Sequence, residues 1–124
     1  MGSRLLVALR LTAGAILVVF GLAKFTNHGA EAASFDRYGL PDPSLFAYAI
    51  GALELGLGIL LVLGLRTRLA AIVLAGNMIG AIATAGRVEG GFVNLGLAPA
   101  LLLVLLVLVA RGAGRWSLDS RVRG

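Results

Sequence analysis

The 124-residue chain contains no cysteine. This excludes disulfide exchange, iron–sulfur ligation and thiolate zinc sites built from its own side chains, and with them any quinone-coupled oxidation of disulfides through its own thiols. There is one histidine, His28. No second imidazole or well-placed methionine opposes it, so neither a haem site nor another metal site is expected. Charge is scarce: 14% of residues are Asp, Glu, Lys or Arg, and Lys24 is the only lysine beside ten arginines. Three prolines, Pro41, Pro43 and Pro99, are all that interrupt helix formation by ring geometry.

What remains is mostly apolar. Hydrophobic residues make up 59% of the chain, and its mean hydropathy is +0.97. A soluble domain this short cannot bury so much apolar surface, so one membrane domain with no separate soluble one is expected. The net charge is +5. Because the arginines cluster at the ends of apolar runs rather than on a soluble face, nucleic acid is excluded as a partner. Arginine in place of lysine, with abundant Ala, Gly, Leu and Val, suggests a GC-rich bacterial genome.

Four apolar runs cover residues 5–25, 44–65, 69–86 and 92–110. A helix of ~20 apolar residues crosses ~30 Å of hydrocarbon. The expected fold is therefore all-α, a four-helix transmembrane bundle over residues 1–110 followed by a basic cytoplasmic tail, 111–124. A secretory leader cleaved near Ala30-Glu31-Ala32 is the competing reading of the first run; Lys24 and His28, lying before that site, argue against it. Residues 29–43 read as a polar loop with one helical turn around 31–38, closed by the breaker cluster Gly39-Leu40-Pro41-Asp42-Pro43. Asp42 reads as an N-cap and Pro43 as the first helical residue. Leu65-Arg66-Thr67-Arg68 reads as a tight hairpin with Thr67 capping the third span. Pro99 kinks the fourth span or sits in its first turns.

Arginines 4, 10, 66, 68, 111, 115, 121 and 123 fall on one side of this layout, against Lys24, Arg37, Arg87 and four acids on the other. The positive-inside rule then places both termini in the cytoplasm, with the bacterial inner membrane as the location and Trp116 as an interfacial anchor of the tail.

The second run carries an acid near its middle, Glu54. An ionisable group there costs at least ~2.5–3.5 kcal/mol, so it must be paired, protonated or turned to a polar cavity. Ala47, Gly51, Glu54 and Gly58 share one helical face. On the first span Arg10, Gly14, Leu17, Gly21, Lys24 and His28 form a stripe expected to face protein. On the third, Asn77, Gly80, Thr84 and Arg87 do so, and Gly76 and Gly80 make a GxxxG pair of the kind found where membrane helices meet. By the rise per residue, Glu54 and Asn77 lie ~15 Å and ~14 Å inside their helix starts, near one depth. Lys24 lies nearer the outer surface, within reach through its long stem.

Lys24, His28, Glu54, Asn77 and Thr84 are thus the candidate site. Two chemistries fit: binding of a polar headgroup such as a quinone with relay of a proton, or a structural glue of interhelical polar pairs worth on the order of 0.5–2 kcal/mol each. His28 itself reads as a surface residue or a loop proton donor. Phe35, Tyr38 and Tyr48 either pack at the outer interface or roof a headgroup pocket.

Several segments carry a family resemblance. They are Gly21-Leu22-Ala23-Lys24-Phe25, Tyr38-Gly39-Leu40-Pro41, Gly51-x-x-Glu54-Leu55-x-x-Gly58 and Leu63-Gly64-Leu65-Arg66-Thr67-Arg68-Leu69-Ala70-Ala71. Together they resemble the DoxX family of small bacterial membrane proteins, over nearly the whole chain up to residue 110. The resemblance implies a four-helix membrane bundle. It implies a quinone- or lipid-associated accessory subunit of a membrane redox complex, more a non-catalytic subunit than an enzyme by itself. The partners it implies are the bilayer and other membrane subunits or further copies. Lys24 and Glu54 match positions typical of the family. The alternative it leaves open is a scaffold or assembly partner without chemistry of its own.

Overall fold

The computed structural model describes residues 3–86 and 96–112. Within them lie five α-helices: α1 Ser3–Thr26, α2 His28–Arg37, α3 Pro43–Leu63, α4 Thr67–Ala81 and α5 Ala98–Arg111. A short π-helical segment, Ile82–Gly86, extends α4. Helices α1 and α3, and α4 with its π extension, are long and apolar enough to cross a membrane; α5 is a shorter apolar helix. The first three expected spans correspond to these elements within two residues at most ends. Residues 92–95 of the fourth expected span lie outside the described residues, as do Arg87, Asn94, Trp116 and the arginines of the tail beyond 112.

Packing is built from two helix pairs, α1 with α3 and α4 with α5, joined along α3–α4 and α1–α5. The first pair meets backbone to backbone. A methyl group on Gly21 would stand 2.6 Å from the Leu55 amide nitrogen and 2.8 Å from the Gly51 carbonyl oxygen. One on Gly58 would stand 3.0 Å from the Val18 nitrogen. Small residues at these positions let membrane helices approach closely, which dispersion and interhelical polar contacts reward. The expected stripes are therefore the buried ones: Gly14, Leu17, Gly21 and Lys24 on α1, and Ala47, Gly51, Glu54 and Gly58 on α3. The second pair meets through larger side chains, Leu74 and Met78 against Leu101, Leu105 and Leu108.

Three local expectations change. The segment expected to hold a single turn is a ten-residue helix, α2. Its run Glu31-Ala32-Ala33 favours helix, and Asn27 continues the α1 hydrogen bonding into it, with the Glu31 amide donating to the Asn27 carbonyl at 3.0 Å. At the hairpin, Arg66 rather than Thr67 is the N-cap, in the left-handed region at φ 50°, and Thr67 is buried inside the first turn. Arg10, on the stripe expected to face protein, is indeed buried, at 1% exposed. Position 10 falls on the same face as Gly14 and Leu17, which turns it into the bundle. Arg68 adds to its place in the basic hairpin a contact with the end of α5: its guanidinium donates to the Ala110 carbonyl at 3.5 Å and lies beside Gly112. Asp42 precedes Pro43 at the start of α3 as expected, although its own side chain makes no capping bond.

The glycine seam gives a contrast within one helix pair. Gly21→Ala drives a methyl into the α3 backbone and is expected to destabilise by ~1–3 kcal/mol. Gly56→Ala, with open space around its methyl, is expected to raise stability by ~0.5–1 kcal/mol through helix propensity. Thermal unfolding of the two variants in the same detergent checks both signs.

Candidate functional site

Three elements deliver the polar cluster. Glu54 sits between Gly51 and Gly58, about one turn from each, on the buried face of α3 and is 3% exposed. Lys24, on the last turns of α1, places its ammonium 2.8 Å from Glu54 Oε1. From α4, the Asn77 amide donates to Glu54 Oε2 at 2.8 Å. Both carboxylate oxygens are thus held, one by a cation and one by a neutral donor. This is the arrangement that makes a buried charge tolerable. A fourth helix joins in: Lys24 Nζ lies 3.4 Å from Glu31 Oε1 on α2, so one ammonium is shared between a deep acid and a shallow one.

The cluster borders a cavity of about 580 Å³. Phe20, Ile50 and Phe46 form its apolar flank, Phe35, Tyr38 and Leu40 its cover, and Gly76, Gly80 and Thr84 the wall on α4. Thr84 stands in the π-helical segment, and its hydroxyl donates to the Gly80 carbonyl at 2.8 Å. π-Helical turns recur at functional sites because they re-aim side chains locally. Among the described residues the GxxxG pair makes no helix contact: none of their atoms outside the helix's own backbone lies within 4 Å of where a side chain on Gly76 or Gly80 would begin. These two glycines widen the cavity.

His28 stands apart from the cavity. Its Nδ1 lies 3.1 Å from the Lys24 carbonyl oxygen, an atom that only accepts, so Nδ1 carries a proton. In the neutral ring Nε2 then accepts from the Ser44 hydroxyl at 2.8 Å. The ring stacks on Tyr48, centroids 3.6 Å apart and 10° from parallel. His28 therefore clasps the α1–α2 junction to the first turns of α3. Among the described residues no three His, Asp or Glu side chains converge as a metal site.

Of the five candidate residues, the structure joins Lys24, Glu54 and Asn77 by direct contact, sets Thr84 on the same cavity and places His28 outside it. Sequence reasoning missed Glu31 and Ser44. Lys24 and Glu31 are seven apart, two turns on one face if helix continues past Asn27, and Ser44 and Tyr48 are four apart on α3. Both spacings were available as signals.

The model of the DoxX family matches residues 5–87, a stretch that includes α2 to α4, α1 from residue 5 on, and every residue of the cluster. The chain belongs to the DoxX family. It is 35% identical to an uncharacterized membrane protein of Mycobacterium tuberculosis, an alignment covering 94% of this chain and 80% of the other. It is 42% identical to a Bacillus subtilis protein named "Putative oxidoreductase CatD" over 61% of this chain and 55% of that protein. No solved structure matches the chain. This DoxX-family chain is accordingly an all-helical membrane protein, and its cluster lies inside the matched stretch.

The energetics of the cluster are open to a double-mutant cycle. Lys24→Met leaves a buried carboxylate with Asn77 alone and is expected to cost ~3–5 kcal/mol. Lys24→Met combined with Glu54→Leu removes both charges and is expected to recover most of that loss. Unfolding midpoints of the two single variants, the double variant and the parent give the coupling directly.

Proposed function

We propose that the protein is a four-span protein of the bacterial inner membrane with both termini in the cytoplasm, and that its cavity binds the ring of a membrane quinone. In this reading it is an accessory subunit of a membrane redox complex rather than a complete enzyme. The observation that carries the proposal is the cavity of about 580 Å³ with the Lys24–Glu54–Asn77 cluster on its border and aromatic side chains around it. Pockets of ~300–1,000 Å³, mostly apolar with a few converging polar groups, are the usual form of a small-molecule site. A relative named as an oxidoreductase agrees with redox chemistry.

The residues fit such an occupant. The Lys24 ammonium has three N–H groups and the Asn77 amide two, more than Glu54 and Glu31 engage, so both can donate to ring oxygens. Glu54 fixes the directions of those donors and offers an acceptor for a proton. Phe20, Ile50 and Phe46 exclude water from the ring face. A quinone, when bound, supplies two-electron chemistry coupled to proton uptake; the protein supplies position, dryness and a place for the proton.

Two measurements test the reading. Solvent extraction of the purified protein is expected to yield bound quinone, and Glu54→Gln, which keeps the side-chain volume, is expected to lose most of it with helicity unchanged. A parent protein that carries none and takes up none would sink the proposal in favour of a scaffold role. For the topology, the absence of cysteine makes single introduced thiols clean reporters. Asp36→Cys is expected to react with an impermeant maleimide in intact cells, and Ser120→Cys only after permeabilisation.

A further inference from the structure

Resting on the quinone reading above, we infer that the cavity selects the reduced form, a neutral ring bearing hydroxyl groups, over both the oxidised ring and an acidic lipid headgroup. The argument is a count of charges and of donors and acceptors. Among the described cavity-lining residues there are two carboxylates, Glu31 and Glu54, and one ammonium, Lys24. Arg37 is the nearby cation outside this lining: it reaches Ser34 from the exposed end of α2, donating to the hydroxyl at 3.0 Å. An acidic headgroup would bring a third negative charge against the one cation among the described lining residues, and that repulsion is poorly screened away from water.

The hydrogen-bonding capacity points the same way. Two carboxylates present about eight lone-pair sites, and Lys24 and Asn77 engage three of them. The Thr84 hydroxyl spends its proton on the Gly80 carbonyl, so it faces the cavity as an acceptor. The Ser34 and Tyr38 hydroxyls on the lining can serve either way, so the surplus of acceptors rests on the two carboxylates. An oxidised ring has carbonyl oxygens that only accept, whereas a reduced ring has O–H groups that donate, and a bond from a hydroxyl to a carboxylate is charge-assisted and strong. The α4 wall suits a planar guest: Gly76 and Gly80 leave open space in front of the helix backbone, where a ring can lie flat.

The test is calorimetric titration of the full chain in neutral phosphatidylcholine nanodiscs with a short-chain benzoquinone, oxidised and chemically reduced, under anaerobic conditions. The reduced form is expected to bind about tenfold tighter or more, the scale of one charge-assisted hydrogen bond. Phosphatidylglycerol in excess is expected not to displace it. Glu31→Gln, on a side chain 31% exposed at the cavity edge, is expected to narrow the gap between the two forms. Gly80→Leu is expected to abolish binding of both without lowering the melting temperature. Equal or tighter binding of the oxidised form, or displacement by phosphatidylglycerol, would overturn the inference while leaving a ring-binding cavity in place. Failure of the parent to bind either form would overturn the quinone reading itself.

Discussion

An ionised carboxylate in hydrocarbon needs a cation and hydrogen-bond donors at contact distance, and much of this bundle is arranged around meeting that need for Glu54. The ammonium comes from α1 and the amide from α4. For Lys24 to arrive, α1 must lie close along α3, which the paired glycines allow. For Asn77 to arrive, the hairpin after α3 must return α4 at the matching depth. Gly64 helps, ending α3 in the left-handed region at φ 69°. The polar contact and the helix packing are thus one solution rather than two.

The same ammonium extends the arrangement to the surface. Glu31 draws α2 over the end of α1, and the His28 clasp to Ser44 and Tyr48 fixes the other side of that junction. Helix α2 buries none of its own residues fully. Its position is therefore set by directional polar contacts and ring stacking more than by apolar burial. Phe35 and Tyr38, carried on this short element and the turn after it, become the cover of the cavity.

Much of this was legible in the sequence, for a definite reason. In a membrane, hydropathy fixes span positions, and an acid in an apolar run announces that partners must exist, so Lys24 and Asn77 could be named from helical spacing alone. The stripe of Gly14, Leu17 and Gly21 was readable on the same grounds. The burial of Arg10 was readable too, because its spacing from Gly14 and Leu17 sets it on that stripe although it also counts among the positive residues near a span end. Helix α2 was underestimated because its length depends on Asn27 passing hydrogen bonds from one helix to the next, a continuity that a polar composition conceals. The glycines at 76 and 80 were read as a contact surface, since small residues signal close approach without saying whether the neighbour is a helix or an open cavity.

The two helix pairs also differ in what lies between them. Where α1 meets α3 the contact is main chain on main chain, and there are few rotamers to change. Where α4 meets α5, leucines and the flexible thioether of Met78 interleave, and such side chains can re-seat at low cost. The cavity touches both kinds of material, so it is a mould with one hard half and one soft half. Guests of differing bulk would be measured against the hard half and absorbed by the soft one.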